Sequence, residues 1–201
     1  MADQNGWVRL TEESPEHSQR YIDRFRALAE AGTDLAGEAR LIDAMLPRHS
    51  RVLDAGCGSG RVGGHLAAAG HDVVGVDIDP VLIAAARADH PACRWLVGDL
   101  TVLDLPALDL PGAFDAIVCA GNVMAFTAPD TRVAILTRMR THLGAAGRAV
   151  IGFGAGRGYA FEQFLADAAQ AGLVTDLLLS TWDLRPFTDG SDFLVAVLRG
   201  R

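Results

Sequence analysis

The sequence predicts an α/β fold in which a mostly parallel, doubly wound sheet of seven strands is covered on both faces by helices. Three observations carry that expectation. From Arg51 onward, short apolar runs alternate with amphipathic segments, the pattern of a buried parallel sheet with helical crossovers. The first of these runs ends in an alternating-glycine turn, Gly56, Gly58 and Gly60, that opens a helix. The last two runs are separated only by WDLRPFTDGSD, too little for a crossover helix, so they are expected to pair as an antiparallel hairpin.

Residues 1–49 read as a helical cap and residues 50–201 as the core of the same single domain. Over 15–31 the apolar residues Tyr21, Ile22, Phe25, Leu28 and Ala29 recur at helical spacing, with Ser14 as the expected cap. A second helix is expected over 34–46, stopped by Pro47. Strands are then expected at 51–54, 72–77, 93–97, 113–119, 147–153, 174–181 and 193–198. Helices fall between them at 61–69, 80–89, 129–143 and 160–171. No internal repeat or low-complexity linker interrupts the series.

Composition narrows the function. A chain of 201 residues, half of them hydrophobic and 21% charged, is long enough for a self-sufficient core and too apolar for general disorder. The formal net charge is -7 and no block of Lys and Arg occurs, so the electrostatic footprint of a nucleic-acid binder is missing. The first residues have neither a basic start nor an apolar stretch, and no run reaches membrane-spanning length, which makes the cytoplasm the default location. Cys57, Cys93 and Cys119 are an odd set lying in strands or the glycine turn, and they read as small buried thiols. The histidines have no paired ligand spacing, so no metal site is expected. A nucleophile elbow is excluded because Gly58 occupies the middle of Gly56-Cys57-Gly58-Ser59-Gly60. Nothing in the sequence specifies an oligomeric state.

The chemistry lies where strands end. Three alternating glycines let the backbone approach a ligand closely, and the following helix aims free N–H groups at the same place, so a nucleoside-type ligand fits. Asp54 closes the first strand; its charge favours a ligand bearing a sulfonium and an ammonium and repels a pyrophosphate, although an Asp there also caps its own turn. Asp77 ends the second strand, 17 residues after Gly60, where a carboxylate fork accepts from both ribose hydroxyls. Ile78 is placed to cover one face of an adenine, and Asp79 before Pro80 is the expected cap of the next helix. Asp99, after the third strand, is placed to accept from an exocyclic amine, with Leu100 packing on the ring. Gly58 to Gly63 also matches G-x-G-x-x-G, which makes a nicotinamide-dependent oxidoreductase the rival enzyme. Asp54, the Gly98-Asp99 pair and the lack of room for a substrate domain weigh against it.

VLDAGCGSGR, VVGVDID and WLVGDL resemble the first three motifs of class I S-adenosylmethionine (SAM) dependent methyltransferases, and FDAIVCAGNVMAF resembles the fourth. The strand pattern extends the likeness over residues 50–199. With VIGFGAGRG and WDLRPF included, the chain is similar to small bacterial methyltransferases. This resemblance implies a seven-stranded Rossmann-like sheet whose seventh strand is antiparallel, with the N-terminal helices capping the site. It implies SAM as cofactor and S-adenosylhomocysteine as product, held by Asp54, Gly56, Gly58, Asp77, Ile78, Asp99 and Leu100. Ala120, Gly121 and Asn122 are then expected beside the methionine part.

Transfer to an N or O atom of a small-molecule acceptor is the implied reaction, achieved mainly by proximity and in-line alignment. Little chain remains outside the core to hold a macromolecular substrate. The polar candidates for removing an acceptor proton are Tyr21, His17, Asn122, Tyr159 and Asp183, of which Asn122 could only position. A SAM-binding module or partner subunit without catalysis is the alternative from a different class. Three further segments carry two readings each. Trp7, Tyr21 and Arg24 belong either to a lid or to ordinary helix packing. Arg157, in a loop containing four glycines, either grips an anionic acceptor or is solvated. Trp182 and Phe187 either wall the pocket or pack in the core.

Overall fold

In the computed structural model, which describes residues 5–110 and 112–201, the central apolar runs are strands because both of their faces are covered. Val52, Leu53 and Ala55 are fully buried in β1 (Arg51–Ala55), and five consecutive residues from Leu194 to Leu198 are buried in β7 (Phe193–Gly200). The other strands are β2 (Asp72–Asp77), β3 (Arg94–Val97), β4 (Phe114–Cys119), β5 (Leu143–Gly154) and β6 (Leu173–Leu179). They form one sheet in the order β3-β2-β1-β4-β5-β7-β6. Strand β7 lies antiparallel between β5 and β6, as the missing crossover helix predicts. The order reverses direction at β1 and β4, so a crevice opens outside their C-terminal ends, the place where open sheets bind ligands.

Eight helices are described: α1 (Gly6–Glu13), α2 (His17–Glu30), α3 (Gly37–Ala44), α4 (Arg61–Ala68), α5 (Pro80–Asp89), α6 (Val123–Phe126), α7 (Arg132–His142) and α8 (Phe161–Gln170). One core cluster joins the sheet to Leu136, Met139 and Phe164 of α7 and α8. A second joins its opposite face to Ile42, Val62 and Leu66 of α3 and α4. Among the described residues no helix is long and apolar enough to cross a membrane.

Local chemistry explains where boundaries differ from the sequence pattern. Ser14 does not cap α2; it ends α1, and its carbonyl accepts from His17 N in the intervening turn. The N-cap position of α2 is Glu16, which makes no side-chain cap bond. Helix α3 starts at Gly37 because Asp34 Oδ1 accepts from Ala36 N and holds a turn just before it. A 3₁₀ turn, Pro129–Thr131, precedes α7. Strand β5 starts at Leu143, earlier than expected, and a shift in its register with β4 between Phe114 and Ala116 absorbs the extra residues.

Candidate cofactor cleft

The glycine turn is stitched to the second strand. Gly56 N and Cys57 N both donate to Val76 O, at 2.8 and 3.1 Å, and Gly58 N donates to Asp77 Oδ2 at 2.8 Å. Gly56 sits at φ 79°, and a Cβ there would overlap Val123 Cγ2 and lie 2.6 Å from Cγ1, so only glycine permits α6 to close against the turn. Asp54 is buried beneath this turn, where its Oδ2 accepts from Gly63 N at 2.9 Å. Burial raises its carboxyl to about 7, with Asp77 adding to the rise.

An open cleft lies above the turn. Its walls are the ends of successive strands: Gly56 and Gly58 after β1, Asp77 and Ile78 after β2, Gly98, Asp99 and Leu100 after β3, and Ala120 and Gly121 after β4. Each Asp77 oxygen already accepts one backbone N–H, Oδ2 from Gly58 and Oδ1 from Asp79 at 3.0 Å, and each keeps a lone pair for a ligand. Desolvation raises the Asp77 carboxyl, offset in part by those N–H groups. Asp99 is exposed, its Oδ1 accepting from Thr101 N at 2.8 Å, while Leu100 is buried beside it. The lining contains two carboxylates and neither Lys nor Arg, which favours a cationic ligand and opposes a pyrophosphate. Asp54, expected from the sequence to face the ligand with its charge, lies outside the lining instead, and burial beneath the turn favours its protonated form.

The roof comes from the N-terminal helices. Asn5 Oδ1 accepts from Trp7 N and Val8 N and starts α1. Trp7 Nε1 then donates to Asp79 Oδ2 at 2.8 Å, and Ser18 Oγ of α2 donates to the same oxygen. Asp79 Oδ1 meanwhile accepts from Val81 N and Leu82 N, the cap expected from the sequence. One carboxylate therefore caps α5 and fastens both roof helices. Trp7 also meets His17, Tyr21 and Phe126 edge-on, with ring centroids 4.9, 5.5 and 5.8 Å apart. Asn5, Trp7 and Tyr21 line the cleft, whereas Arg24 points its guanidinium over Phe25.

The five proton-transfer candidates separate in space. Tyr21 reaches the cleft, but burial pushes its phenol up to about 12, so it serves as a neutral donor. Asn122 follows Gly121 at φ 67°, and its Oδ1 accepts from Gly154 N at 2.8 Å, tying the end of β4 to the end of β5. His17 packs on Trp7. Tyr159 is buried away from the cleft, donating to Asp167 Oδ2 at 2.6 Å and stacking on Phe153. Asp183 is exposed and paired with Arg185 at 3.6 Å. Phe187 packs edge-on against Phe161. Sequence reasoning passed over Asn5, Leu82, Val123, Phe126 and Thr127 as cleft residues. The stretch FDAIVCAGNVMAF held a signal for Val123 and Phe126, since both follow the fourth strand directly. Among the described residues no cluster of His, Cys, Asp or Glu is arranged to hold a metal ion.

Residues 52–147 match the family model of a methyltransferase domain. A solved structure, a TehB-like SAM-dependent methyltransferase from Corynebacterium glutamicum, superposes with a TM-score of 0.89 at 53% identity, covering 94% of this chain and 100% of that one. The chain belongs to the class I SAM-dependent methyltransferases. Curated members of the family match over less of their length. Magnesium-protoporphyrin O-methyltransferase from Rhodobacter capsulatus is 34% identical over 145 residues, 68% of this chain and 59% of that protein. Malonyl-[acyl-carrier protein] O-methyltransferase from Pectobacterium atrosepticum is 40% identical over 85 residues, 41% of this chain and 31% of that protein. The chain thus spans about a third to three fifths of these relatives.

Proposed function

We propose that this methyltransferase moves the methyl group of SAM to a nitrogen or oxygen of a small-molecule acceptor in the cytoplasm. The observation that carries the proposal is the cleft itself: a crevice at the switch point of the sheet, ringed by four strand ends, lined with uncompensated negative charge and roofed by a fastened helix. The three cysteines are free thiols, as suits a reducing compartment. Two curated relatives are named for O-methylation of small or carrier-bound molecules, which supports a small acceptor.

The residues fit SAM part by part. The free acceptor capacity of Asp77 would take the ribose hydroxyls, Ile78 and Leu100 would offer apolar surfaces to the adenine, and Asp99 would accept from its exocyclic amine. Gly56, Gly58, Ala120 and Gly121 would present backbone to the methionine part, with Asn122 next in the chain. When bound, SAM supplies an electrophilic methyl group on a sulfonium that leaves as a neutral thioether. The protein's share is to hold the acceptor in line and exclude water, which Trp7, Tyr21 and Phe126 do from above. The neutral Tyr21 phenol orients by hydrogen bonding and takes no proton.

Incubation with SAM and a panel of small phenols, carboxylic acids and amines tests the proposal. Acceptor-dependent release of S-adenosylhomocysteine is expected. Tight SAM binding with no product across the panel would favour a non-catalytic SAM-binding protein.

A further inference from the structure

Beyond the cofactor cleft, the end of β5 carries two glycines on one face. Gly152 and Gly154 are separated by Phe153, so they share a face while Phe153 points to the other and enters the core with Tyr159 and Phe164. Their missing side chains are replaced by other groups. A Cβ at Gly152 would overlap Trp182 Cζ2 and lie 3.1 Å from Cε2, so the indole from the segment between β6 and β7 occupies the space a side chain would fill there. A Cβ at Gly154 would lie 3.3 Å from Arg157 Nε and 3.6 Å from Asn122 Oδ1. Trp182 and Arg157 therefore sit side by side, roughly 6.5 Å apart along the strand. Arg157 lies by the Gly154 backbone that bonds Asn122, which directly follows the cleft residue Gly121, and Trp182 packs against the cluster that contains the cleft residue Ala120.

The two side chains are chemically open. Arg157 is exposed and makes no hydrogen bond or ion pair among the described residues, although its stem is folded back along the Gly154 backbone rather than extended into solvent. The cofactor cleft next to it holds only negative charge, so Arg157 supplies the positive charge at this rim. Trp182 is half-buried, leaving part of its indole to meet a ligand. A guanidinium fork beside an aromatic plane matches a flat organic body that bears a carboxylate or another oxyanion.

The geometry points to an acceptor subsite in which Arg157 binds an anionic group and Trp182 flanks the flat body that carries it, at the β4–β5 rim of the cofactor cleft. This assignment rests on the SAM-dependent reading above. It identifies the acceptor class as small planar organic acids, held by their charge while another atom, or the acid oxygen itself, receives the methyl group.

Calorimetric titration of the protein loaded with S-adenosylhomocysteine tests the assignment, with benzoate as probe, benzamide as its neutral match and acetate as the same charge without a ring. Benzoate is expected to bind about tenfold or more tightly than benzamide, the range of a hydrogen bond to a charged group. Arg157→Gln is expected to weaken benzoate by about the same factor while leaving S-adenosylhomocysteine affinity unchanged. Arg138→Gln, an exposed arginine on the outer side of α7, is the control and should change neither. Trp182→Leu should narrow the preference for benzoate over acetate. No benzoate binding, equal binding of benzamide, or indifference to Arg157→Gln overturns the subsite. An unchanged benzoate-to-acetate ratio in Trp182→Leu overturns the aromatic wall. Failure of S-adenosylhomocysteine to bind the wild type would be seen first, in the loading step, and would remove the cofactor reading as well.

Discussion

Replacing Gly56 by Ala measures how tightly α6 closes the glycine turn. At φ 79° an L side chain costs about 1–2 kcal/mol of backbone strain. The new Cβ would also overlap Val123 Cγ2 and lie 2.6 Å from Cγ1 and 3.0 Å from Cβ, an overpacking cost of about 1–3 kcal/mol. The whole loss of stability is then about 2–5 kcal/mol. Gly121 provides the comparison, because it has φ 71° and a Cβ there would meet nothing within 4 Å. Gly121→Ala should lose only the strain, about 1–2 kcal/mol. Urea denaturation of both variants gives the difference, and a double-mutant cycle of Gly56→Ala with Val123→Ala isolates the clash as a favourable coupling of about 1–3 kcal/mol. SAM binding should fall with Gly56→Ala, since Val123 lines the cleft and must move. Equal destabilisation by Gly56→Ala and Gly121→Ala, together with no coupling to Val123, would refute this account of the turn.

Three other outcomes follow from the site. Trp7→Phe keeps the ring but removes the Nε1–H that donates to Asp79, so α1 should exchange its amide hydrogens roughly tenfold faster; unchanged protection would show that the bond does not fasten the roof. Tyr21→Phe should leave the pH dependence of methyl transfer unaltered because the phenol stays neutral up to about 12, and loss of a pH limb in the variant would contradict that role. Asp54 keeps its proton to about 7 when folded but loses it near 3.8 when unfolded, so its contribution to stability is complete below the unfolded value and is lost as pH rises to the folded one. Relative to Asp54→Asn, the wild type should therefore lose up to roughly 1.4 kcal/mol per pH unit across that window; denaturation curves that stay parallel from acid to neutral pH would argue against a buried, protonated Asp54.

The sheet was legible because strands covered on both faces are written as uninterrupted apolar runs, FLVAVL in β7 being the clearest. The glycine turn and the acidic ends of β1, β2 and β3 were legible for a related reason: the ligand edge of such a sheet is fixed once the strands are placed. The roof was not. Helix α1 buries no residue among its eight and depends on an indole reaching Asp79, far away in sequence, so no local periodicity announces it. Asp79 was visible as a cap, which needs only its neighbours, and invisible as a fastener, which needs the tertiary fold. Tyr159 looked available because it follows the glycine loop; its hydroxyl is instead spent on Asp167 of α8. Helix α6 has four residues, too few to show a period, and its position is set by contact with Gly56.

Calorimetric titration of the purified protein with SAM, S-adenosylhomocysteine and NAD, repeated on Asp77→Asn, tests the central claim most directly. The account predicts saturable binding of SAM and S-adenosylhomocysteine, no binding of NAD, and a loss of about tenfold or more in the variant, whose amide cannot accept from two ribose hydroxyls as the carboxylate does. Binding of NAD in place of SAM, or SAM affinity indifferent to Asp77, would contradict it.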